Sequence, residues 1–69
     1  MQLHDDPNEM MLIAPDGSGG WTVISRGDVE GWIRKKGISF EFAHVDEPAT
    51  WLAAGSSISD VRDFIIANY

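Results

Sequence analysis

The chain of 69 residues has no cysteine, which excludes disulfide staples and thiolate metal sites as sources of stability for a small fold. It has no apolar run near the ~20 residues that a membrane-spanning helix requires. Its start, Met1-Gln2-Leu3-His4-Asp5-Asp6, lacks the basic residues and apolar stretch of a signal peptide. With the absence of cysteine, this predicts a soluble protein of the cytoplasm. Basic residues are scarce too, with five Lys and Arg against eleven Asp and Glu and a formal net charge of −6. Such a balance opposes approach to nucleic-acid phosphates and anionic membranes, and it suits a basic protein surface. What the chain does have is aromatic side chains, three Trp, three Phe and one Tyr. Each of these removes about 150–250 Å² from water when buried. A chain this short makes one domain burying roughly 60% of its unfolded surface.

Four of the five basic residues are gathered, with Arg62 apart from them. Arg26, Arg34, Lys35 and Lys36 fall within one stretch, flanked on the N-terminal side by Asp5, Asp6, Glu9 and Asp16 and on the C-terminal side by Glu41, Asp46, Glu47, Asp60 and Asp63. That stretch also carries helix signals. Ser25 and Asp28 have capping-box spacing, Ile24 and Val29 fit a hydrophobic staple, and Gly37 fits a helix stop. A central helix over 25–36 is predicted, with Val29, Trp32 and Ile33 toward the core and Arg26, Glu30 and Arg34 as an ion-pair ladder.

Around it, residues 1–9 read as a flexible lead-in and 10–69 as a single compact domain. Residues 10–14 and 21–24 read as the arms of a hairpin joined by Pro15-Asp16-Gly17-Ser18-Gly19-Gly20. Residues 38–45 alternate Ile38, Phe40 and Phe42 against polar neighbours, a strand with one wet face. A short helix is expected over 48–54, stopped by Gly55. A last helix follows the S-x-x-D signal Ser57-Ile58-Ser59-Asp60, with Ile58, Val61, Phe64, Ile65 and Tyr69 on its buried side. The order β-β-α-β-α-α predicts an α+β fold, a three-stranded antiparallel sheet of order 2-1-3 with helices packed on one face.

Catalytic signals are weak. His44 with Asp46 and Glu47 is the one His-carboxylate grouping near a strand end, but no nucleophile or further ligand stands at a recognisable spacing. His4-Asp5-Asp6 lies in the lead-in. Asp16-Gly17-Ser18-Gly19-Gly20 has neither the P-loop nor the dinucleotide-loop spacing. No catalytic residue, metal site or cofactor is predicted. Lys36-Gly37-Ile38-Ser39-Phe40-Glu41-Phe42 with Val45-Asp46-Glu47 is similar to the helix-to-strand passage of glutaredoxin-like proteins, but the redox cysteines are absent and no activity is implied.

The expectation is a non-enzymatic, acidic protein-binding domain with a basic protein partner. Asp46, Glu47, Asp60 and Asp63 would supply its charge, with Trp51 and Ile66 as apolar anchors. In size and charge it is similar to phage-type inhibitors that imitate nucleic acid. The alternative is an accessory nucleic-acid contact module using Arg26, Arg34, Lys35 and Lys36, or a small adaptor or oligomerisation subunit that forms a homodimer.

Overall fold

The stretch with the strongest helix signals is extended. In the computed structural model, which describes residues 11–69, five strands and one helix follow in order. They are β1 (Met11–Pro15), β2 (Trp21–Ser25), β3 (Asp28–Lys36), β4 (Ser39–His44), β5 (Leu52–Gly55) and α1 (Ile58–Asn68). Every strand pairs antiparallel with its neighbour in sequence, in the order β1-β2-β3-β4-β5. This five-stranded meander with one C-terminal helix replaces the expected three-stranded sheet of order 2-1-3 and its several helices. The lead-in at 1–9 lies outside the described residues.

The reason begins at Ser25 and Asp28. They pair across a two-residue turn in which Arg26 has φ 55° and Gly27 φ 88°. Two positive φ values make the turn that matches the twist of a hairpin. The spacing of a capping box is thus also the spacing of a tight hairpin. Beyond the turn, β3 contains Val29, Trp32 and Ile33, which favour strands, and Gly31, which weakens a helix. Pairing with β2 on one side and β4 on the other overrides the local helix signals. The face expected for the helix is split by the strand's alternation. Ile33 is buried with Val23, whereas Val29 and Trp32 lie on the opposite face beside Ile24 and Thr22.

The predicted passage from helix to strand at 36–42 is a second tight turn, with Lys36 paired to Ser39. Ile38 sits at its tip, 87% exposed, and not in the buried row with Phe40 and Phe42. Pro48, expected to open a short helix, occupies a turn in which the Thr50 N–H donates to the Glu47 carbonyl at 3.0 Å. Pro is favoured at that turn position by its fixed φ. Residues 52–55 then form β5 against β4.

The first hairpin and the last helix follow their sequence signals, except that Tyr69, expected on the buried side of the helix, is its C-cap and 52% exposed. Asp16 organises the β1–β2 loop. Its Oδ1 accepts from the Ser18 N–H at 2.8 Å, the Ser18 hydroxyl at 3.0 Å and the Gly20 N–H at 3.1 Å. Ser57 caps α1, its hydroxyl accepting from the Asp60 N–H at 3.0 Å. The Asp60 carboxylate in turn accepts from the Ser56 N–H at 3.2 Å.

The core lies between α1 and one face of the sheet. Val23, Ile33 and Phe42 are fully buried there against Val61 and Ile65, with Met11, Phe40 and Ala54 at the margins. Gly31, between Val23 and His44 in the register, leaves room for the ring of Phe42. A Cβ at that position would come within 2.5 Å of Phe42 Cζ and would also collide with the Ala43 carbonyl oxygen.

Two measurements follow from these contacts. Gly31→Ala should destabilise the fold by about 1–3 kcal/mol, the usual cost of forcing an atom into filled space. Urea denaturation reads this, and a change below ~0.5 kcal/mol, the range of a neutral surface substitution, contradicts it. The Ser18 backbone N–H, foremost among several donors, holds the Asp16 carboxyl below its ordinary value. A carboxyl depressed by folding contributes stability above its unfolded pKa and loses that contribution as pH falls through the folded one. The Ser18 and Gly20 amide resonances should therefore titrate together at a pH below the value for an unstructured Asp. Titration at or above that value contradicts the arrangement.

Candidate functional site

The β2–β3 turn, the β4–β5 connection and the last turn of α1 meet at one end of the sheet. Between the β2–β3 turn, Met11 of β1 and the end of α1 is a cleft of about 370 Å³. Met11, Ile65 and Ile66 give it apolar walls, and Arg26, Asp28, Glu30 and Tyr69 line the rest. Sequence places the acids there in two ways. Asp28 begins β3 directly after the Arg26-Gly27 turn. Glu30 follows where the β2–β3 register shifts, and its carbonyl accepts from the Val45 N–H at 2.9 Å.

His44, at the end of β4, ties these elements together. Its Nε2 lies 3.0 Å from Glu30 Oε2. Its Nδ1 accepts from the Asp46 backbone N–H at 3.1 Å. An Nδ1 that accepts leaves the proton of a neutral ring on Nε2, which then donates to the Glu30 carboxylate. Tyr69 stacks on the ring at 4.3 Å and 14°. With both nitrogens engaged and one face covered, this ring is built to hold the β4–β5 connection and the end of α1 in place. Among the described residues no group of three or more His, Cys, Asp or Glu stands close enough to hold a metal ion.

The residues named from sequence are divided by the fold. Asp46 and Glu47 lie in the connection after His44, and Asp46 is almost fully exposed. Ile66, 38% exposed, lines the cleft. Asp60 is at the opposite end of α1, engaged with Ser56, and Asp63 is exposed one turn further along. Trp51 is on the other face of the sheet, half-buried, with the Arg34 guanidinium carbon 4.2 Å from its ring centre.

The basic residues are also separated. The central helix on which they were expected to form one contact does not exist, and Arg26 stands at the opposite end of β3 from Arg34, Lys35 and Lys36. A strand rises about 3.3 Å per residue, so roughly 25 Å divides Arg26 from Arg34. The ladder through Glu30 is absent, because Glu30 bonds to His44 and Arg34 Nε donates to Glu41 Oε1 at 2.7 Å across the strands.

Asp28, Glu30 and Tyr69 are among the cleft residues that sequence reasoning missed. The spacing of the two acids fits a helix cap at Asp28 and a helix ladder at Glu30. Reading Arg26-Gly27 as a hairpin tip brings out both acids. Nothing in the local sequence brings Tyr69 to His44. Comparison with family models, with curated proteins and with solved structures finds no match for this chain.

The tautomer of His44 is directly measurable. In the neutral ring, imidazole ¹⁵N shifts should report a protonated Nε2 and an unprotonated Nδ1. Glu30→Gln should keep that tautomer, because the Gln side-chain oxygen still accepts. A protonated Nδ1 in the wild type contradicts the arrangement.

Proposed function

We infer that this chain is a non-enzymatic protein-binding domain, and that it takes a basic partner surface at the end of the sheet described above. The observation that carries this reading is the electrostatic composition of the cleft. Asp28 and Glu30 line it, Asp46 and Glu47 stand in the adjoining connection, and Arg26 is the one basic side chain among its lining residues. The C-terminal end of α1 points to the same place, and no basic residue lies in its last turn. A helix C-terminus carries partial negative charge, which adds to that of the carboxylates.

The apolar walls complement this charge. A Lys or Arg side chain has an aliphatic stem as well as a cationic head. Met11, Ile65 and Ile66 suit the stem, the carboxylates suit the head, and the exposed ring of Tyr69 offers a face for a guanidinium. The non-enzymatic part of the reading is supported by His44, whose two nitrogens are committed within the fold. Asp60 and Trp51 serve the helix cap and the Arg34 contact in this account.

Chemical-shift mapping with a short arginine-rich peptide tests it. Low salt should give shifts at Asp28, Glu30, Ile66 and Tyr69 that fade at high salt, as contacts between exposed charges do. Asp28→Asn, Asp46→Asn and Glu47→Gln together should weaken the peptide by about tenfold, ~1.4 kcal/mol. Asp63→Asn should leave it nearly unchanged. Shifts centred on Asp60 and Asp63, or on the Trp51 face, contradict the reading.

A further inference from the structure

Among the described residues β1 is an edge strand, and the hydrogen-bond parity of its backbone can be read from its neighbours. The Asp16 N–H donates to the Gly20 carbonyl at 3.0 Å. In an antiparallel pair, residues alternate between those that exchange bonds with the partner and those that do not. Counting back in twos along the β1–β2 register, Ala14 and Leu12 direct their backbone groups to β2. Met11, Ile13 and Pro15 direct theirs away from the sheet. Carried across β2 and β3, the same parity turns the Glu30 carbonyl toward the chain after β4, where the Val45 N–H meets it. Pro15 agrees too, since a residue without an N–H is tolerated where that group would face outward.

Pro15 blunts one end of this edge, and the stretch Met11–Ala14 carries no guard of its own. Natural edge strands are blunted by charges, prolines, bulges or inward-pointing polar groups. Met11-Leu12-Ile13-Ala14-Pro15 has no charged residue, and its pairing with β2 has no register shift, unlike β2–β3 and β4–β5. Leu12 is 57% exposed on the sheet face away from α1.

We propose that β1 pairs antiparallel with β1 of a second copy of this chain, about a two-fold axis at Ile13. An antiparallel edge is self-complementary under such an axis. The two Ile13 residues exchange N–H and carbonyl, and each Met11 N–H meets the Pro15 carbonyl of the other copy. Leu12 falls opposite Ala14 of the copy, so the row Leu12, Ile24, Val29 continues into Ala14, Thr22, Trp32 of the second sheet. The absence of charge on β1 matters because each chain carries a net −6, and no carboxylates oppose one another along the paired strands. The other edge, β5, is four residues long with a shifted register, so the assembly closes at two copies.

The salt dependence distinguishes this contact from binding of a basic partner. Screening relieves repulsion between two acidic chains, so salt strengthens the dimer. In sedimentation equilibrium between ~10 µM and ~1 mM, a range suited to a contact this small, the mass should rise from that of one 7.6 kDa chain toward twice that, and further at high salt. Ile13→Pro removes an outward N–H without touching the β1–β2 ladder, and Leu12→Lys places a charge at the edge while sparing the core. Each should hold the mass at one chain, with Leu12→Lys deciding the matter if the proline variant does not fold. A wild type that stays at one chain throughout overturns the proposal. So does a Leu12→Lys variant that associates as the wild type does, or an Ile13 amide protected from exchange equally at all concentrations.

Discussion

The seating of the Phe42 ring in the space left by Gly31 is the contact on which the rest of the fold depends. Phe42 is fully buried. Its ring centre lies 6.4 Å from Phe64 and 5.7 Å from Tyr69, both contributed by the C-terminal helical segment. Aromatic pairs at such separations add about 0.5–1.5 kcal/mol each beyond the area they bury. The ring can lie this low because residue 31 has no side chain. A larger residue there would lift Phe42, and with it the last turn of α1, off the sheet. Tyr69 would then lose its place on His44, and the wall formed by Ile65 and Ile66 would move away from Asp28 and Glu30. The glycine that weakens a helix over 25–36 is in this sense what makes the acid-lined cleft.

The acidic composition acts differently on the two surfaces. At the cleft, carboxylates and a helix C-terminus gather around apolar walls, so in the proposed reading a cationic side chain binds there and salt opposes it. At β1, charge is absent, so two like-charged chains can meet there and salt favours it. The two surfaces adjoin at Met11, which lines the cleft with its side chain and belongs to the edge by its backbone. A partner at the cleft and a second copy at β1 are therefore close enough to influence one another. The opposite sheet face is closed differently. Arg34 pairs with Glu41 while lying over the ring of Trp51.

Much of this was legible where a local signal has only one geometric solution. Asp16 with its following glycines could only be a turn, the alternation of Phe40 and Phe42 could only be a strand, and Ser57 to Asp60 before an apolar stripe opened a helix. Where a signal has two solutions, sequence reasoning took the wrong one. Ser25-Arg26-Gly27-Asp28 satisfies both a helix start and a hairpin, and Pro48 opens turns as readily as helices. Pairing on both sides of β3 decided the first case. In the second, β4 offered Leu52, Ala53 and Gly55 a ladder that a short isolated helix could not match. The site was legible only in part for the same reason. Asp46, Glu47 and Ile66 reach the cleft's end of the molecule, but Asp28 and Glu30 were hidden inside the misread helix. Tyr69 meets His44 only through the tertiary fold.

The most direct test of this account is a nuclear Overhauser spectrum of the wild-type chain, read at the Phe42 ring protons. The account predicts cross-peaks from that ring to the Gly31 α-protons and to the Tyr69 ring. It also predicts cross-strand contacts between the backbones of Gly31 and His44. Sequential amide-to-amide contacts running unbroken from residue 26 to residue 36, with no contact between Phe42 and Gly31, would mean that the local helix signals prevail, and they would contradict it.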